Sequence, residues 1–167
     1  MKKHLRRCAV VLRTAKCAIE DMMTLDKGGA SFLAAAMLRK FEGLRLALYF
    51  CQAGKPTIGY GHVILPNEAH LRAGITVEQA EALLLHDLAW ALWAARNVGQ
   101  VLTDGQAAAL ASLVFNIGAQ AWATSTIRGK VIAGDMAGAA LEFGRWNKVD
   151  GVCNAGLTAR RWREKQV

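Results

Sequence analysis

An acidic side chain followed by two small nucleophilic side chains is the strongest chemical signal in the sequence. Glu42 follows an apolar segment, Cys51 comes nine residues later and Thr57 fifteen residues later. Glycines at positions 43, 54, 59 and 61 allow tight turns around them. If the chain folds back there, a carboxylic acid that can donate a proton faces a thiol and a hydroxyl that can hold water. The same composition is also typical of a solvated helix end followed by turns.

A predicted helix positions the acid, and a predicted β-hairpin positions the other two groups. Apolar residues recur at helical spacing from Ser31 to Phe41, with Ser31 as the expected N-cap and Gly43 beyond the end. Between Leu46 and Val63 the pattern changes to short β-branched and aromatic pieces broken by glycine and proline, which predicts a small hairpin or sheet. Glu42 is therefore expected at the helix C-terminus, beside the hairpin.

The remainder of the chain predicts helices. Thr76 is expected to cap a long helix in a capping box with Gln79, and Thr103 to begin a helix through Ile117 that Gly118 closes. Further helix starts are predicted at Ser125 or Thr126, at Asp135, whose helix runs through Trp146, and at Thr158. A helix, a small sheet, a long helix and a helical cluster indicate an α+β fold with a cleft between two lobes.

Composition and length limit the class of protein. With 167 residues, 53% hydrophobic and 20% charged, the chain has enough apolar sequence to fold as one domain. We interpret residues 1–28 as an N-terminal extension and residues 29–167 as the folded domain. The net charge of +8 favours nucleic acid, anionic lipid or an acidic cell-wall polymer as a partner. The apolar runs Cys8 to Leu12 and Ala30 to Leu38 are too short for a signal peptide or a membrane span.

The sequence predicts neither a metal nor a cofactor. Its four cysteines are widely spaced, without the C-x-x-C pairs or histidine intervals of zinc sites. No cluster of histidine, aspartate and glutamate in the sequence indicates a cation. Nucleic-acid binding is also disfavoured, because no recognised DNA- or RNA-binding signature accompanies the basic charge.

The motif around Glu42 resembles the active-site signature of the phage-type lysozymes, the endolysins of glycoside hydrolase family 24. Their pattern is a catalytic glutamate, a carboxylate nine residues later and a threonine fifteen residues later, before a T-I-G-x-G-H run. The corresponding residues here are Glu42, Cys51 and Thr57. The resemblance covers roughly residues 28 to 165, and further motifs follow in family order at residues 113–118, 132–135, 143–147, 156–157 and 160–164.

This resemblance implies a lysozyme-like fold, in which a long helix joins a small N-terminal lobe carrying the hairpin or sheet to a helical C-terminal lobe. It also implies an endolysin muramidase that cleaves the β-1,4 bond between N-acetylmuramic acid and N-acetylglucosamine in peptidoglycan, for host cell lysis. Glu42 would be the general acid, because burial in a cleft favours the neutral form of a carboxylic acid. By resemblance, Thr57 and the residue at position 51 would hold the attacking water of an inverting enzyme.

The resemblance also suggests residues that contact substrate. The candidates are Tyr60, His62, Phe115, Asn116 and Arg145. Arg145 resembles a family arginine that lies near the catalytic glutamate and orients it. For His62, hydrogen bonds to backbone that fix the hairpin are the preferred interpretation.

Cys51 departs from the family pattern, because it replaces a carboxylate by a thiol. Three readings are open: a thiolate or polar thiol that assists water, a covalent nucleophile, or an inactive protein retained for binding. The first is preferred, since Glu42 and Thr57 are present. A disulfide with Cys8, Cys17 or Cys153 would mask the thiol; free structural thiols at these three positions are the simpler expectation.

Two alternatives to the muramidase are a catalytically silent cell-wall-binding relative and a chitinase-like glycosidase. The expected partners are peptidoglycan and, indirectly, a holin that perforates the membrane. The protein would be a monomer, made in the host cytoplasm and acting on the cell wall or in the periplasm after perforation. A basic C-terminal helix would contact anionic envelope polymers or would be a solvated face docked through Leu157 and Trp162; its basic residues are Arg160, Arg161, Arg163 and Lys165.

Overall fold

A computed structural model describes residues 29–51 and 54–167, so the predicted extension at residues 1–28 lies outside the described residues. Helices and small antiparallel sheets alternate as expected for an α+β fold. The elements are α1 (Ala30–Glu42), β1 (Arg45–Phe50), β2 (Pro56–Gly59), β3 (His62–Val63), a 3-10 segment (Pro66–Ala73), α2 (Val77–Arg96), α3 (Asp104–Ala123), α4 (Thr126–Ile132), α5 (Met136–Glu142), a second 3-10 segment (Phe143–Trp146), β4 (Lys148–Val149), β5 (Val152–Cys153) and α6 (Ala155–Lys165).

Helix α1 delivers Glu42 to the start of the sheet. It buries Ala30, Ala34 and Leu38 on one face, whereas Phe32 and Leu33, which the predicted apolar face included, are exposed. Its N-cap is Gly29, so the prediction of Ser31 as N-cap is wrong: the helix has already begun at Ala30. Gly43 ends it with a φ of +67°, a conformation that L side chains rarely adopt. The chain therefore turns sharply just after the acid.

The predicted hairpin is a three-stranded antiparallel sheet in the order β1-β2-β3. Thr57, on the central strand, pairs with Tyr49 on one side and with Val63 on the other. The register of β1 with β2 shifts between Arg45 and Tyr49, where β1 is irregular. Such an irregularity increases local twist and re-aims the side chains that follow it.

The two longest helices, α2 and α3, pack against each other and form much of the core. Thr76 caps α2 and Thr103 caps α3, each in a capping box, which confirms both predicted starts. The predicted end at Ile117 is wrong, because α3 continues to Ala123 across a kink at Gly118, where φ is +81°. Glycine permits that bend without ending the helix.

The C-terminal region differs most from the prediction. The helix that begins at Met136 gives way to a 3-10 segment after Glu142 instead of continuing to Trp146. A small hairpin, β4 with β5, follows and was not predicted. Its turn is Asp150-Gly151, a dipeptide favoured in hairpins. Each strand has only two residues, which is too short for an alternating apolar and polar pattern to appear in the sequence.

Helix α6 begins at Ala155, with Asn154 as its N-cap, rather than at the predicted Thr158. It buries Arg160 and Arg161, and leaves Trp162 63% exposed. The predicted basic face is thus reduced to Arg163 and Lys165, and the alternative of docking through Trp162 is also wrong. The inward side of the helix is ionic, because Glu164 is buried beside the two arginines.

No helix among residues 29–51 and 54–167 is both long and apolar enough to span a membrane by itself. Helices α3 and α4 taken together pass by length and composition, but they are bent by 88°.

Candidate active site

The carboxylate of Glu42 is held from two sides. Its side chain is 22% exposed, and Oε1 accepts a 2.6 Å hydrogen bond from Nη1 of Arg160 on α6. Oε2 lies beside Gly61, in the turn between β2 and β3: a methyl group at Gly61 would be 3.6 Å from it. One oxygen is therefore anchored to an arginine, while the other faces a turn that glycine keeps open.

The backbone of Cys51 and the side chain of Thr57 donate hydrogen bonds to the same carbonyl oxygen. The hydroxyl of Thr57 donates a 2.9 Å hydrogen bond to the backbone oxygen of Lys55, and the backbone N–H of Cys51 donates a 3.1 Å bond to the same oxygen. Thr57 is 2% exposed and Cys51 is half-buried. Because the proton of the Thr57 hydroxyl is already donated, its lone pairs remain available to accept from a water molecule.

Tyr49 connects the acid electrostatically with position 51. Burial raises the pKa of its phenol, the cation of Arg45 lowers it, and the nearby acidic groups of Glu42 and Cys51 raise it. The guanidinium of Arg45 lies over the Tyr49 ring, 4.6 Å from its centre. Tyr49 therefore lies within electrostatic reach of both groups. Neither Tyr49 nor Arg45 was among the predicted site residues, and the strand pairing of Tyr49 with Thr57 is the structural feature that places it there.

A groove of about 460 Å³ runs from the turn at Gly61 along helices α2 and α3. Phe115, a predicted substrate-binding residue, lines it and is half-buried. Trp90 lines it from α2 and is 36% exposed. Gly61 also borders Glu42, so the acid lies close to this groove, although the described residues that line it do not include Glu42, Cys51 or Thr57. An apolar and aromatic wall of this kind suits the faces of sugar rings.

Tyr60 is buried below the sheet, with 8% of its surface exposed. Its hydroxyl donates a 2.8 Å hydrogen bond to Glu81 on α2, which also binds Arg39 on α1 at 2.7 Å. Burial and the Glu81 carboxylate raise the pKa of Tyr60. In this arrangement Tyr60 ties the sheet to two helices, and its role in substrate binding stays a prediction.

His62 joins three elements through two carboxylates. Nδ1 lies 2.8 Å from Asp87 on α2, and Nε2 lies 3.1 Å from Glu68 in the first 3-10 segment. The preferred backbone hydrogen bonds for this residue are therefore wrong. The hydrogen bond with Asp87 raises the pKa of His62, and burial opposes it. His62 also lines the groove, but both ring nitrogens face carboxylates.

The arginine beside Glu42 is Arg160, and the prediction of Arg145 in that place is wrong. Arg145 is 72% exposed and binds Glu142 at 3.1 Å, one turn before it. Asn116 is exposed on α3, and its side-chain oxygen accepts a 3.0 Å hydrogen bond from Arg161. Substrate binding by Asn116 and Arg145 stays a prediction.

Cys51 and Cys153 are not joined by a disulfide, and Cys153 is exposed. The other two proposed partners, Cys8 and Cys17, lie outside the described residues. Within residues 29–51 and 54–167, no group of three histidine, cysteine, aspartate or glutamate side chains could hold a metal ion.

The family model described as phage lysozyme matches residues 39–164, a span that includes Glu42, the sheet and all the later helices. The chain belongs to the phage lysozyme family. Members of this family with similar sequences include the endolysin of Acyrthosiphon pisum secondary endosymbiont phage 1, which is 42% identical over 136 residues that cover 78% of this chain and 91% of that protein. The endolysin of Salmonella phage P22 is 37% identical over 149 residues, covering 87% of this chain and 98% of that protein.

A solved structure supports the same phage lysozyme fold. The muramidase domain of SpmX from Asticaccaulis excentricus superposes with a TM-score of 0.71 at 34% identity, covering 80% of this chain and 92% of that one. The lysozyme-like fold expected from the sequence is thus confirmed.

Proposed function

We propose that the chain is an endolysin muramidase that hydrolyses the β-1,4 bond between N-acetylmuramic acid and N-acetylglucosamine in peptidoglycan, leading to host cell lysis. The observation that carries this proposal is the placement of Glu42, a half-buried carboxylate held by Arg160 beside the groove. Membership of the phage lysozyme family and similarity to phage endolysins support it.

In the proposed reaction Glu42 is the general acid. Arg160 donates to Oε1, so the proton to be transferred sits on Oε2, which lies beside Gly61 at the end of the groove. The acid gives this proton to the leaving glycosidic oxygen as the bond to the anomeric carbon breaks. Gly61 matters because its φ is +89°, a backbone conformation that L side chains rarely adopt, so a substitution there would strain the turn beside this oxygen.

Water attacks the anomeric carbon from the opposite side of the sugar ring, and the proton that it loses passes to the Cys51 thiolate or to solvent, from which Glu42 is protonated again for the next turnover. Thr57 accepts a hydrogen bond from that water through the lone pairs that its bond to Lys55 leaves available. Cys51 acts beside it as a thiolate or polar thiol that polarises the water or stabilises positive charge on the sugar. The outcome is inversion at the anomeric carbon, because a water molecule and not the protein forms the new bond.

A thiol at position 51 also favours a second candidate, a silent relative that binds cell wall without cleaving it. A covalent role for Cys51 is a third arrangement, which would retain the anomeric configuration through two displacements. The anomer of the first-formed product separates inversion from retention, and the absence of product identifies the silent relative.

We assign the catalytic unit to residues 29–167, acting as a monomer on peptidoglycan. Phe115 and Trp90 face the glycan in the groove, and Asn116 and Arg145 contact it from the helical side. The protein is made in the host cytoplasm and reaches the cell wall after a holin perforates the membrane.

The decisive experiment compares the clearing of purified cell walls by wild type, Glu42→Gln and the control Glu78→Gln. Glu78 is an exposed carboxylate in the first turn of α2. We expect Glu42→Gln to lose about 10²- to 10⁴-fold in rate, since amide cannot donate the acid's proton, and the control to keep the wild-type rate. Equal clearing by wild type and Glu42→Gln would remove the hydrolase assignment.

A further inference from the structure

Four ionic side chains form a cluster that joins α6 to the proposed acid. Arg160 is 5% exposed, Arg161 is 1% exposed and Glu164 is 1% exposed. With Glu42 they comprise two guanidiniums and two carboxylates. Burying charges is costly unless each is paired, so a cluster of this kind requires a close balance of positive and negative groups.

Arg160 is fixed from four directions. Its Nη1 donates to Glu42 at 2.6 Å, its Nε donates to Glu164 at 3.2 Å, and its Nη2 donates to the backbone oxygen of Ser112 at 3.1 Å. The ring of Phe41 covers the guanidinium, with its centre 4.8 Å away. A planar guanidinium held at all three nitrogens has one orientation, and in that orientation Nη1 points at the acid.

Glu164 is the buried carboxylate that pairs with both arginines of the cluster. Its Oε1 accepts from the hydroxyl of Ser112 at 2.6 Å as well as from Arg160. Its Oε2 lies 3.0 Å from Nε of Arg161, close enough for attraction but not aligned for a hydrogen bond. Burial raises the pKa of Glu164, whereas Arg161, Ser112 and Arg160 oppose that effect. The carboxylate therefore stands at the centre of the cluster, between both arginines.

We propose that Glu164 is a positioning residue for the reaction: it clamps Arg160 so that its guanidinium orients Glu42, and its negative charge offsets that of Arg160 at the acid. This inference rests on the proposed function, in which Glu42 must hold a proton. Without Glu164, two buried cations would face Glu42 alone, and they would favour its ionised, inactive form. Glu164 does not touch substrate in this role; it acts through Arg160.

Charged and polar side chains from several elements surround the cluster. Among residues 29–51 and 54–167, the titratable group that faces its four members from outside is Tyr49 on β1. Helix α3 contributes the neutral side chains of Ser112 and Asn116. On the second 3-10 segment, which also packs against α6, Arg145 is exposed and paired with Glu142. Burial lowers the pKa of Arg161 to about 10, so it stays cationic at neutral pH.

The test uses three variants of the full chain. Glu164→Gln removes the charge at nearly constant size, and Ser112→Ala removes the hydroxyl that helps to hold the carboxylate. Asp135→Ala is the stability control, because it loses the α5 N-cap without touching the cluster. Each is measured for melting temperature, for wall-clearing rate across pH, and for the rotation rate of the Arg160 guanidinium by ¹⁵N NMR.

We expect Glu164→Gln to clear walls about tenfold more slowly at neutral pH and to lose activity on the basic side roughly one pH unit lower than wild type. Guanidinium rotation should become about tenfold faster, since the hydrogen bond to a charged carboxylate is replaced by a weaker one to a neutral amide oxygen. Ser112→Ala should shift the pH profile of wall clearing and the guanidinium rotation rate in the same direction as Glu164→Gln, but by a smaller amount. Asp135→Ala should lower the melting temperature and leave both readouts at their wild-type values.

A folded Glu164→Gln variant with the wild-type pH profile and wild-type guanidinium rotation would overturn the proposal. If Glu164→Gln does not fold, Ser112→Ala decides by the same two readouts. If the wild type does not clear cell walls, or if Glu42→Gln clears them as fast as the wild type, the proposed function is refuted instead. The rotation rate of Arg160 then still judges the positioning role, because it does not depend on activity.

Discussion

The thiol of Cys51 stands where the pattern of the phage lysozyme family has a carboxylate, and its surroundings suit a group that assists water. Its backbone N–H and the Thr57 hydroxyl share the Lys55 carbonyl, so the two positions are tied together through the main chain. The Tyr49 phenol lies within electrostatic reach of both Glu42 and Cys51. At the scale of single residues, the hydrogen bond that holds position 51 beside Thr57 is made by the backbone and does not depend on whether the side chain is a thiol or a carboxylate.

Cys51→Asp and Cys51→Ser test this role. We expect Cys51→Asp to keep activity and to invert the anomeric centre, because a carboxylate can polarise the same water. Cys51→Ser should lose about a hundredfold in rate, since a hydroxyl ionises far less readily than a thiol. Rates come from wall clearing and the anomer from NMR of the first product. Retention by the wild type would instead assign Cys51 as a covalent nucleophile.

At the scale of elements, side-chain caps and ion pairs set where helices begin and how they join the sheet. The long helices begin at threonine caps with reciprocal glutamine bonds, at Thr76 with Gln79 and at Thr103 with Gln106. These bonds satisfy backbone N–H groups that have no partner within the helix. The start of each helix is therefore a local property of a few neighbouring residues.

Thr103→Ala should lower the free energy of unfolding by about 1 kcal/mol, because Gln106 N–H at the start of α3 loses its acceptor. Thr124→Ala is the matched control: its exposed hydroxyl bonds a carbonyl at the end of the same helix. Urea denaturation measures both. An equal loss in the two variants would show that the cap at Thr103 contributes nothing specific.

His62 makes the stability of the joint between β3 and α2 depend on pH. Since Asp87 raises the pKa of His62 above the unfolded value, the ion pair stabilises the fold fully below about pH 6.5. This stabilisation is lost as the pH rises through the raised folded-state pKa. His62→Gln should remove the decline in unfolding free energy that begins above about pH 6.5, measured by urea denaturation at several pH values. The same decline in both proteins would contradict the assignment.

At the scale of the whole molecule, the excess of positive charge is the feature expected to attract an anionic cell-wall polymer. The chain carries a net charge of +8, and burial of Arg160 and Arg161 leaves the remaining cations of α6, Arg163 and Lys165, at the surface. Long-range attraction of this kind raises the local concentration of the protein on an anionic polymer and is screened by salt.

Wall adsorption should therefore fall several-fold as salt rises from about 50 mM to about 300 mM, over which the Debye length shortens. The inactive Glu42→Gln protein is used, so that bound protein can be pelleted with intact walls. Chitin, which lacks the anionic groups, is the control and should bind with little dependence on salt. Salt-independent adsorption to walls would exclude a role for the net charge.

The local signals in the sequence predicted the threonine caps of the two long helices and a small hairpin or sheet after Glu42, because each depends on residues close together in the chain. They also pointed to Glu42, Cys51 and Thr57 as a catalytic set, whose role stays a prediction. Only the tertiary structure decided which arginine holds the acid: Arg160 lies 118 residues from Glu42. Arg160 rather than Arg145 holds Glu42 because α6 is rotated so that its ionic face is buried and Trp162 is exposed. A helical pattern of hydrophobicity cannot reveal such a face, since paired charges read as polar in sequence and become buried only when their partners arrive from α1 and α3.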